Sequence, residues 1–558
     1  MIHSGVGTPH LGRVLYICIP IYSRVWSQGL APGLSSLYST GRRGQHGSKF
    51  GDTCSREAAM HSAMGIGDSL DILGQQPGLD IYTQLFLIYP MPEPSLQGDI
   101  INTLTDGLEK LAQDVPWVAG QVIKGDATNG GSGGFRITPF NKAPSLTIRD
   151  LRGSESALTM DSLRQARFPF SMLDEDVIAP QKTLPRVVGS GPDARPVFAM
   201  QANFIAGGLI LTFVSQHQTM DLTGRKCQIG VLLALFELFR ESSGSRCSRD
   251  TAPGYLKKTK LTRIAAERQV MSLLSRLCRG DKLTDTEIAN ANPDRRGRII
   301  PSPDESISSC PGLTLQTGGS PVNQRALGGV PAAAAWAYFA FSADSLATIK
   351  HLAMDNVANP PGFVSTDDAL TAFIWQSVGR VRMQRMGSDE KSTLGRAVDV
   401  RRHLGVPEAY PGLMQNLAFQ THTMQQLVQI PLGCLASELR LAVDPSTSKL
   451  ARATRALAAL TRQAEDKSTV SLTAGINPSV DLLISSWANP SFYEMDFGLR
   501  LGAPEAVRRP CFVPVEGLGY LMPKSPSGEV VVAICLRKED LQRLRADDEF
   551  SIRSAYIG

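Results

Sequence analysis

The stretch Leu209-Ile-Leu-Thr-Phe-Val-Ser-Gln-His217-Gln-Thr-Met-Asp221 joins an apolar run to two residues that can handle protons. Leu209 to Val214 reads as a buried strand. Just upstream, Val197-Phe-Ala-Met-Gln-Ala-Asn-Phe204 reads the same way, and Gly207-Gly208 marks a turn between them. Residues 197–215 are therefore expected to form a strand pair, with a helix following over 227–240. His217 falls just past the end of the second strand, where a loop begins and clefts tend to open. Asp221 could orient the imidazole, or pair elsewhere and hold the shape of the loop.

Working outward, Leu79 to Tyr89 is rich in β-branched and aromatic residues and stops at Pro90, so it predicts a strand. Ile100, Ile101, Leu104, Leu108 and Leu111 recur at helical spacing, predicting a helix over 99–115 that ends before Pro116. Residues 125–134 are glycine-rich and lack a phosphate-loop lysine, which points to a hairpin loop between strands 117–124 and 135–139. Ser, Gly, Arg and Pro dominate 241–330, read as a crossover on the surface with one helical stretch near 261–277. The second half predicts strands at 334–341, 395–401, 416–424 and 529–536. Helices are expected at 342–353, with Ser342 as N-cap, and at 366–386, 431–441, 446–465 and 537–546. Strands alternating with covering helices make the fold α/β or α+β.

A chain of 558 residues exceeds what one core usually serves, so two large domains are expected. The divisions are an extension over 1–63, leader-like or disordered, a first domain over 64–240, the crossover 241–330 and a second domain over 331–558. Net charge is +5, and no lysine–arginine cluster is interleaved with aromatics, so nucleic acid is not an expected partner. The longest apolar candidate near the start, 14–26, is broken by Pro20, Ser23 and Arg24, so no membrane span is expected. Nine cysteines without CxxC pairs or zinc-ligand spacing read as reduced thiols in a cytoplasmic protein with no metal site.

A neutral imidazole suits general-base work near pH 7. Acyl transfer from a thioester to an alcohol needs such a base, because the thiolate leaves readily while the alcohol must lose its proton. His-x-x-x-Asp alone has two fixed residues and arises by chance in many long chains. The second signal is Asp496-Phe-Gly498, within Ser485-Ser-Trp487-Ala-Asn-Pro-Ser-Phe-Tyr-Glu-Met-Asp-Phe-Gly-Leu. Together the two motifs resemble the BAHD-type acyltransferases, and their fungal branch that includes trichothecene 3-O-acetyltransferases. Further matching stretches are 168–180, Val364-Ser-Thr-Asp-Asp-Ala-Leu370, Val398-Asp-Val-Arg401 and Tyr410-Pro-Gly-Leu-Met-Gln-Asn416. The resemblance covers about 70–558.

The resemblance implies a chloramphenicol acetyltransferase-like fold of two similar-sized domains with a solvent channel between them. It implies that His217 is the general base, and that Asp221 points away from substrate to pair with Arg401. Asp496 and Gly498 are then structural, in a loop near the CoA side. Ser365 and Thr366, at a helix start, could offer backbone donors to CoA phosphates, and Trp487 packs near the channel. Acyl-CoA, acetyl-CoA above all, is the implied co-substrate, with no permanently bound cofactor, and the chain is expected to act as a monomer. The acceptor is expected to be a hydroxyl on a fungal secondary metabolite such as a terpenoid. An N-acyltransferase and a non-catalytic metabolite binder are the alternatives. Two departures stand out. Gln216 replaces the first histidine of the doubled pair common in the family, and Asp496-Phe-Gly-Leu-Arg-Leu-Gly502 displaces the second glycine by two residues.

Overall fold

The structure is a computed structural model that describes residues 14–17, 69–125, 134–140, 146–153, 158–184, 195–221, 266–293, 299–301, 333–473, 475–489 and 492–558. The leader-like extension lies outside these residues except for 14–17, and the helix expected over 227–240 lies outside them entirely. The strands of the first half are β1 (Val14–Ile17), β2 (Tyr82–Pro90), β3 (Gln121–Lys124), β4 (Phe135–Thr138), β5 (Leu146–Asp150), β6 (Phe198–Ile205) and β7 (Gly208–Gln216). Those of the second half are β8 (Ala334–Phe341), β9 (Lys391–Asp399), β10 (Gln415–Thr423), β11 (Leu482–Ser486), β12 (Ala506–Arg508), β13 (Leu518–Leu521), β14 (Val530–Arg537) and β15 (Ala555–Tyr556). The longer helices are α1 (Gln97–Asp114), α2 (Ala266–Cys278), α3 (Ala343–Asp355), α4 (Thr366–Arg382), α5 (Leu432–Leu441), α6 (Leu450–Gln463) and α7 (Lys538–Ala546).

Two mixed sheets carry the architecture. The first runs β1-β5-β6-β7-β2-β12 and the second β10-β9-β11-β13-β14-β8-β15. The predicted strand pair is β6 and β7, antiparallel from Phe198 opposite Ser215 to Ile205 opposite Gly208. Gly207 makes the turn at a φ of +74°, where a side chain would be strained. β7 lies inside the sheet between β6 and β2, and both its faces are covered: Leu209, Leu211 and Phe213 join the larger core, while Ile210 packs with Met160 and Leu163 on the other side. That is why its sequence reads as a continuous apolar run instead of an alternating one.

The second sheet alternates sharply. On β8, Trp336, Tyr338 and Ala340 join the core shared with the first sheet, while Ala337, Phe339 and Phe341 join a core under the helices. On β14, Val531, Ala533 and Cys535 face the shared core, and Val530, Val532, Ile534 and Leu536 face the helices. Period-two side-chain direction thus seats one sheet on the other and the helices behind.

Three departures from expectation have local causes. The strand expected over 395–401 runs instead from Lys391 to Asp399, because the Asp399 carboxylate accepts the backbone N–H of Arg401 at 3.0 Å and turns the chain there. The helix expected from 446 begins at Leu450, because Asp444 accepts both the N–H and the hydroxyl of Ser446 and makes a turn first. Within the stretch read as a surface crossover, α2 packs on α1, burying Val270, Met271, Leu274 and Leu277 among Leu104, Leu108 and Leu111. The halves are also stitched together. β12, from the second half, pairs with β2 at the edge of the first sheet, Ala506 opposite Ile88.

Candidate active site

The turn that presents His217 is held by its own polar residues. The His217 N–H donates to the Ile81 carbonyl at 2.9 Å, at the point where β2 begins. Gln216 does the rest. Its Oε1 accepts the Gln218 N–H at 2.7 Å, its Nε2 donates to Asp80 at 2.9 Å, and its carbonyl accepts from Thr219 through both N–H and hydroxyl. The residue that replaces the first histidine therefore serves as the lock of the turn. Gly74 completes it: a Cβ there would lie 2.2 Å from the Gln218 carbonyl oxygen, so only glycine permits this approach.

The His217 side chain keeps partial solvent exposure, but its Nδ1 is buried with no partner in hydrogen-bond geometry. Burial pushes the imidazole down to about 4, Arg509 pushes it the same way, and the Met220 backbone opposes them. The ring is neutral at physiological pH, as a base must be. In an unfolded chain the same ring titrates near about 6.5. Between those values the folded protein holds fewer protons, so this group's contribution to stability is present above about pH 6.5 and is lost as pH falls toward the folded value. For kcat/KM, the acidic limb set by His217 is expected well below pH 6.5. A limb centred at 6.5 or above in a pH–rate profile would contradict this burial.

Asp221 is fully buried and accepts from Arg401 Nη1 at 3.2 and 3.1 Å and from the Met414 N–H at 2.7 Å. Arg401 in turn donates to Asp399 at 2.9 Å, to the Tyr410 carbonyl at 3.1 Å and to the Gly412 carbonyl at 2.6 Å. Burial pulls the Arg401 guanidinium down, but Asp221 and Asp399 together hold it above its ordinary range. Burial raises the Asp399 carboxyl, with Arg401 opposing. Asp221 thus ties the histidine turn to the second half and makes no contact with the imidazole among the bonds described.

The Asp-Phe-Gly loop lies against the first half. Asp496 accepts the Gly498 N–H at 2.8 Å, its carbonyl accepts from Arg279 at 2.5 Å, and Gly498 takes a φ of +69°. Phe497 stacks on Phe213 of β7 with ring centroids 5.3 Å apart. The loop therefore braces the strand that ends at His217. Trp487, 3% exposed, donates to the Ser485 hydroxyl at 3.1 Å and packs on Tyr520.

A cavity of about 330 Å³ opens in the second half, on the start of α4. That volume is at the lower end of small-molecule pockets. Ser365, Thr366, Asp367, Asp399 and Ser486 line it, and Lys350, Arg440 and Lys524 add positive charge. The Ser365 hydroxyl is committed to the helix cap, bonded with the Asp368 N–H and carboxylate. Asp367 and Asp368 pair with Arg396 at 2.7 and 2.9 Å. Lys350 and Lys524 have no ion pair among the described residues. His217, Trp487 and the Asp-Phe-Gly loop do not line this cavity, whose walls belong wholly to the second half. Two of its lining residues neighbour the site residues above: Asp399 is the partner of Arg401, and Ser486 precedes Trp487.

Sequence reasoning missed Lys350, Lys524 and Arg509. A lone lysine carries no spacing signal. Arg508-Arg509-Pro510 is visible as a doublet, but nothing in it says which arginine is buried without a carboxylate. Among the described residues, no group of three or more His, Cys, Asp or Glu side chains could hold a metal, and no helix is long and apolar enough to cross a membrane.

Residues 81–234 match the trichothecene 3-O-acetyltransferase-like N-terminal domain, and residues 260–551 match the Transferase family. The O-acetyltransferase dmxR13 of Cryptosporiopsis sp. is 42% identical over 88% of this chain and 97% of its own length. The trichothecene 3-O-acetyltransferase TRI101 of Fusarium sporotrichioides is 41% identical over 88% of this chain and 97% of its own. The crystal structure of F. graminearum TRI101 complexed with coenzyme A and deoxynivalenol superposes with a TM-score of 0.75 at 39% identity, over 88% of this chain and 99% of that one.

Proposed function

This chain belongs to the Transferase (BAHD-type) family, and from that premise we propose that it moves an acyl group, acetyl above all, from a CoA thioester to a hydroxyl of a fungal secondary metabolite. The observation that carries the reading is the neutral, part-open imidazole of His217 at the end of β7, with its carboxylate neighbour turned away to the other half. Relatives named for trichothecenes make oxygenated terpenoids of that class the first acceptors to try.

In the reaction, His217 takes the proton of the acceptor hydroxyl as its oxygen attacks the thioester carbonyl carbon. A C–O bond forms and the carbonyl electron pair moves onto oxygen. Collapse of that oxyanion breaks the C–S bond, and the thiolate leaves with the electron pair and takes the proton back from the imidazolium. No covalent enzyme intermediate is needed. A base whose protonation is disfavoured by burial gains when the proton arrives together with negative charge on the substrate, because the new ion pair offsets the desolvation of each partner. CoA phosphates suit the cavity at α4, where Lys350, Lys524 and the remaining first-turn N–H groups supply positive charge, while Arg396 and Arg440 offset the charges of Asp367 and Asp368.

The test is release of free thiol from acetyl-CoA with and without a panel of hydroxylated terpenoids and amines. Release that requires a hydroxylated acceptor, with acetate recovered as an ester, is the expected result. Release that requires an amine would move the assignment to N-acylation. No release with any acceptor or thioester would leave a binding protein and sink the reading.

A further inference from the structure

Arg509 is 2% exposed, yet its guanidinium has no carboxylate and no side-chain hydrogen bond among the described residues. The other deeply buried arginines differ. Arg382, Arg396 and Arg401 each meet a carboxylate, and Arg508 donates to the carbonyls of Phe168 and Val507. Arg509 instead lies over three aromatic rings, 4.0 Å from the centre of Tyr520, 4.8 Å from Trp487 and 5.1 Å from Phe512. Ring faces attract a cation but leave its N–H groups without acceptors, and a buried charge in that state is costly. A group that arrives from outside and brings negative charge would relieve it.

The strand register says where that group would sit. Val507 pairs with Leu87, and Arg508 with Phe86, so Arg509 comes level with Leu85. Leu85 pairs with Phe213 and Thr83 with Ser215, and His217 follows two residues later. Val507, Leu85 and Phe213 all point into the core shared by the two sheets. Arg509 contacts Trp487, Phe512 and Tyr520 of that same core, so it lies on the His217 side of the sheet. Ser215, between them, has a fully buried hydroxyl oxygen with no partner. Arg509 and Ser215 thus share one inner face with the imidazole, in a core whose other buried polar atoms without a partner, Trp336 Nε1 and Tyr89 Oη, belong to aromatic side chains. The charge of Arg509 also bears on the His217 ring.

We propose that Arg509 is a second catalytic residue, whose guanidinium takes the thioester carbonyl oxygen as it becomes negative during attack by the acceptor. Ser215 adds a hydroxyl donor from β7, two strands away across β2. This rests on the acyltransfer reading above and assigns the negative pole that complements His217. While attack proceeds, the carbonyl electron pair moves to oxygen beside Arg509 and the acceptor proton moves to His217. When the C–S bond breaks, the pair returns to the carbonyl and the thiolate takes that proton. The aromatic clamp holds the guanidinium in place with its Nε buried, so it does not have to reorganise as the charge appears.

The experiment compares wild type with Arg509→Gln and Arg509→Lys in steady-state kinetics with acetyl-CoA and a turned-over acceptor. The glutamine variant is expected to lose about 10²–10³-fold in kcat, the scale of losing one oxyanion donor, with both KM values within a few-fold of wild type. Lysine is expected to recover part of the loss, because the charge is restored. Circular dichroism and thermal unfolding establish that each variant is folded, and Ser215→Ala gives a second reading if Arg509→Gln does not fold, with a smaller drop in kcat expected. Unchanged kcat in folded Arg509→Gln, or in Ser215→Ala where the glutamine variant does not fold, overturns the proposal. So does a loss confined to the acceptor KM, which would make Arg509 an acceptor-binding residue. Absence of turnover in the wild type itself would instead sink the acyltransfer reading.

Discussion

Replacing His217 by alanine is expected to remove turnover by about 10²–10⁴-fold, the range general-base catalysis contributes, and to leave the protein folded. The fold is expected to survive because the turn is held by backbone and by Gln216, Gln218 and Thr219, not by the imidazole. The ring itself carries a buried Nδ1 without a partner, a feature that costs stability. His217→Ala should therefore melt within roughly a few degrees of wild type, because the turn's own hydrogen bonds do not run through the ring. Steady-state rates with acetyl-CoA and acceptor, set beside thermal unfolding of the same preparations, give the answer. Turnover within a few-fold of wild type would remove His217 from its role.

Asp221→Ala is expected to act in the opposite way, through structure first. It leaves Arg401 buried with only Asp399 as counter-charge and strips the Met414 N–H of its acceptor. Breaking a buried, hydrogen-bonded ion pair from one side costs about 3–5 kcal/mol. Because the pair ties the histidine turn to the second half, kcat should fall together with the unfolding temperature. The double variant Asp221→Ala with Arg401→Met should recover part of the stability, since it removes the stranded charge as well. Equal unfolding temperatures for wild type and Asp221→Ala would show that the pair does not bear on stability.

The Asp221–Arg401 contact shows how far one dimension of information reaches. In the sequence, the pairing of Asp221 with Arg401 rests on the family resemblance alone. No periodicity could have paired residues 180 positions apart. The structure adds the physical reason: Arg401 is off the strand, in the turn that Asp399 makes, with two carbonyls and two carboxylates already placed to receive its donors. β6, β7, α1, β8 and β14 were legible because burial on one or both faces writes itself into local composition and spacing. β12 was not, because three residues are too few to show a period and its partner strand lies over 400 positions away. Ser365 is legible in the sequence as a helix start, but only the structure shows that its hydroxyl is occupied by the cap.

By itself the sequence determined the longer strands and helices, the position of His217 at a strand end and the chemical type of each candidate. These are local properties, set by side-chain size, polarity and backbone preference over a few residues. The tertiary structure alone decided which charges are neutralised and which are not. Arg396 and Arg401 are silenced by carboxylates, Lys350 and Lys524 are left beside a cavity, and Arg509 is left bare among aromatic rings near His217. Charge pairing acts through space over a few ångströms, and the chain brings those partners together only when the two sheets dock.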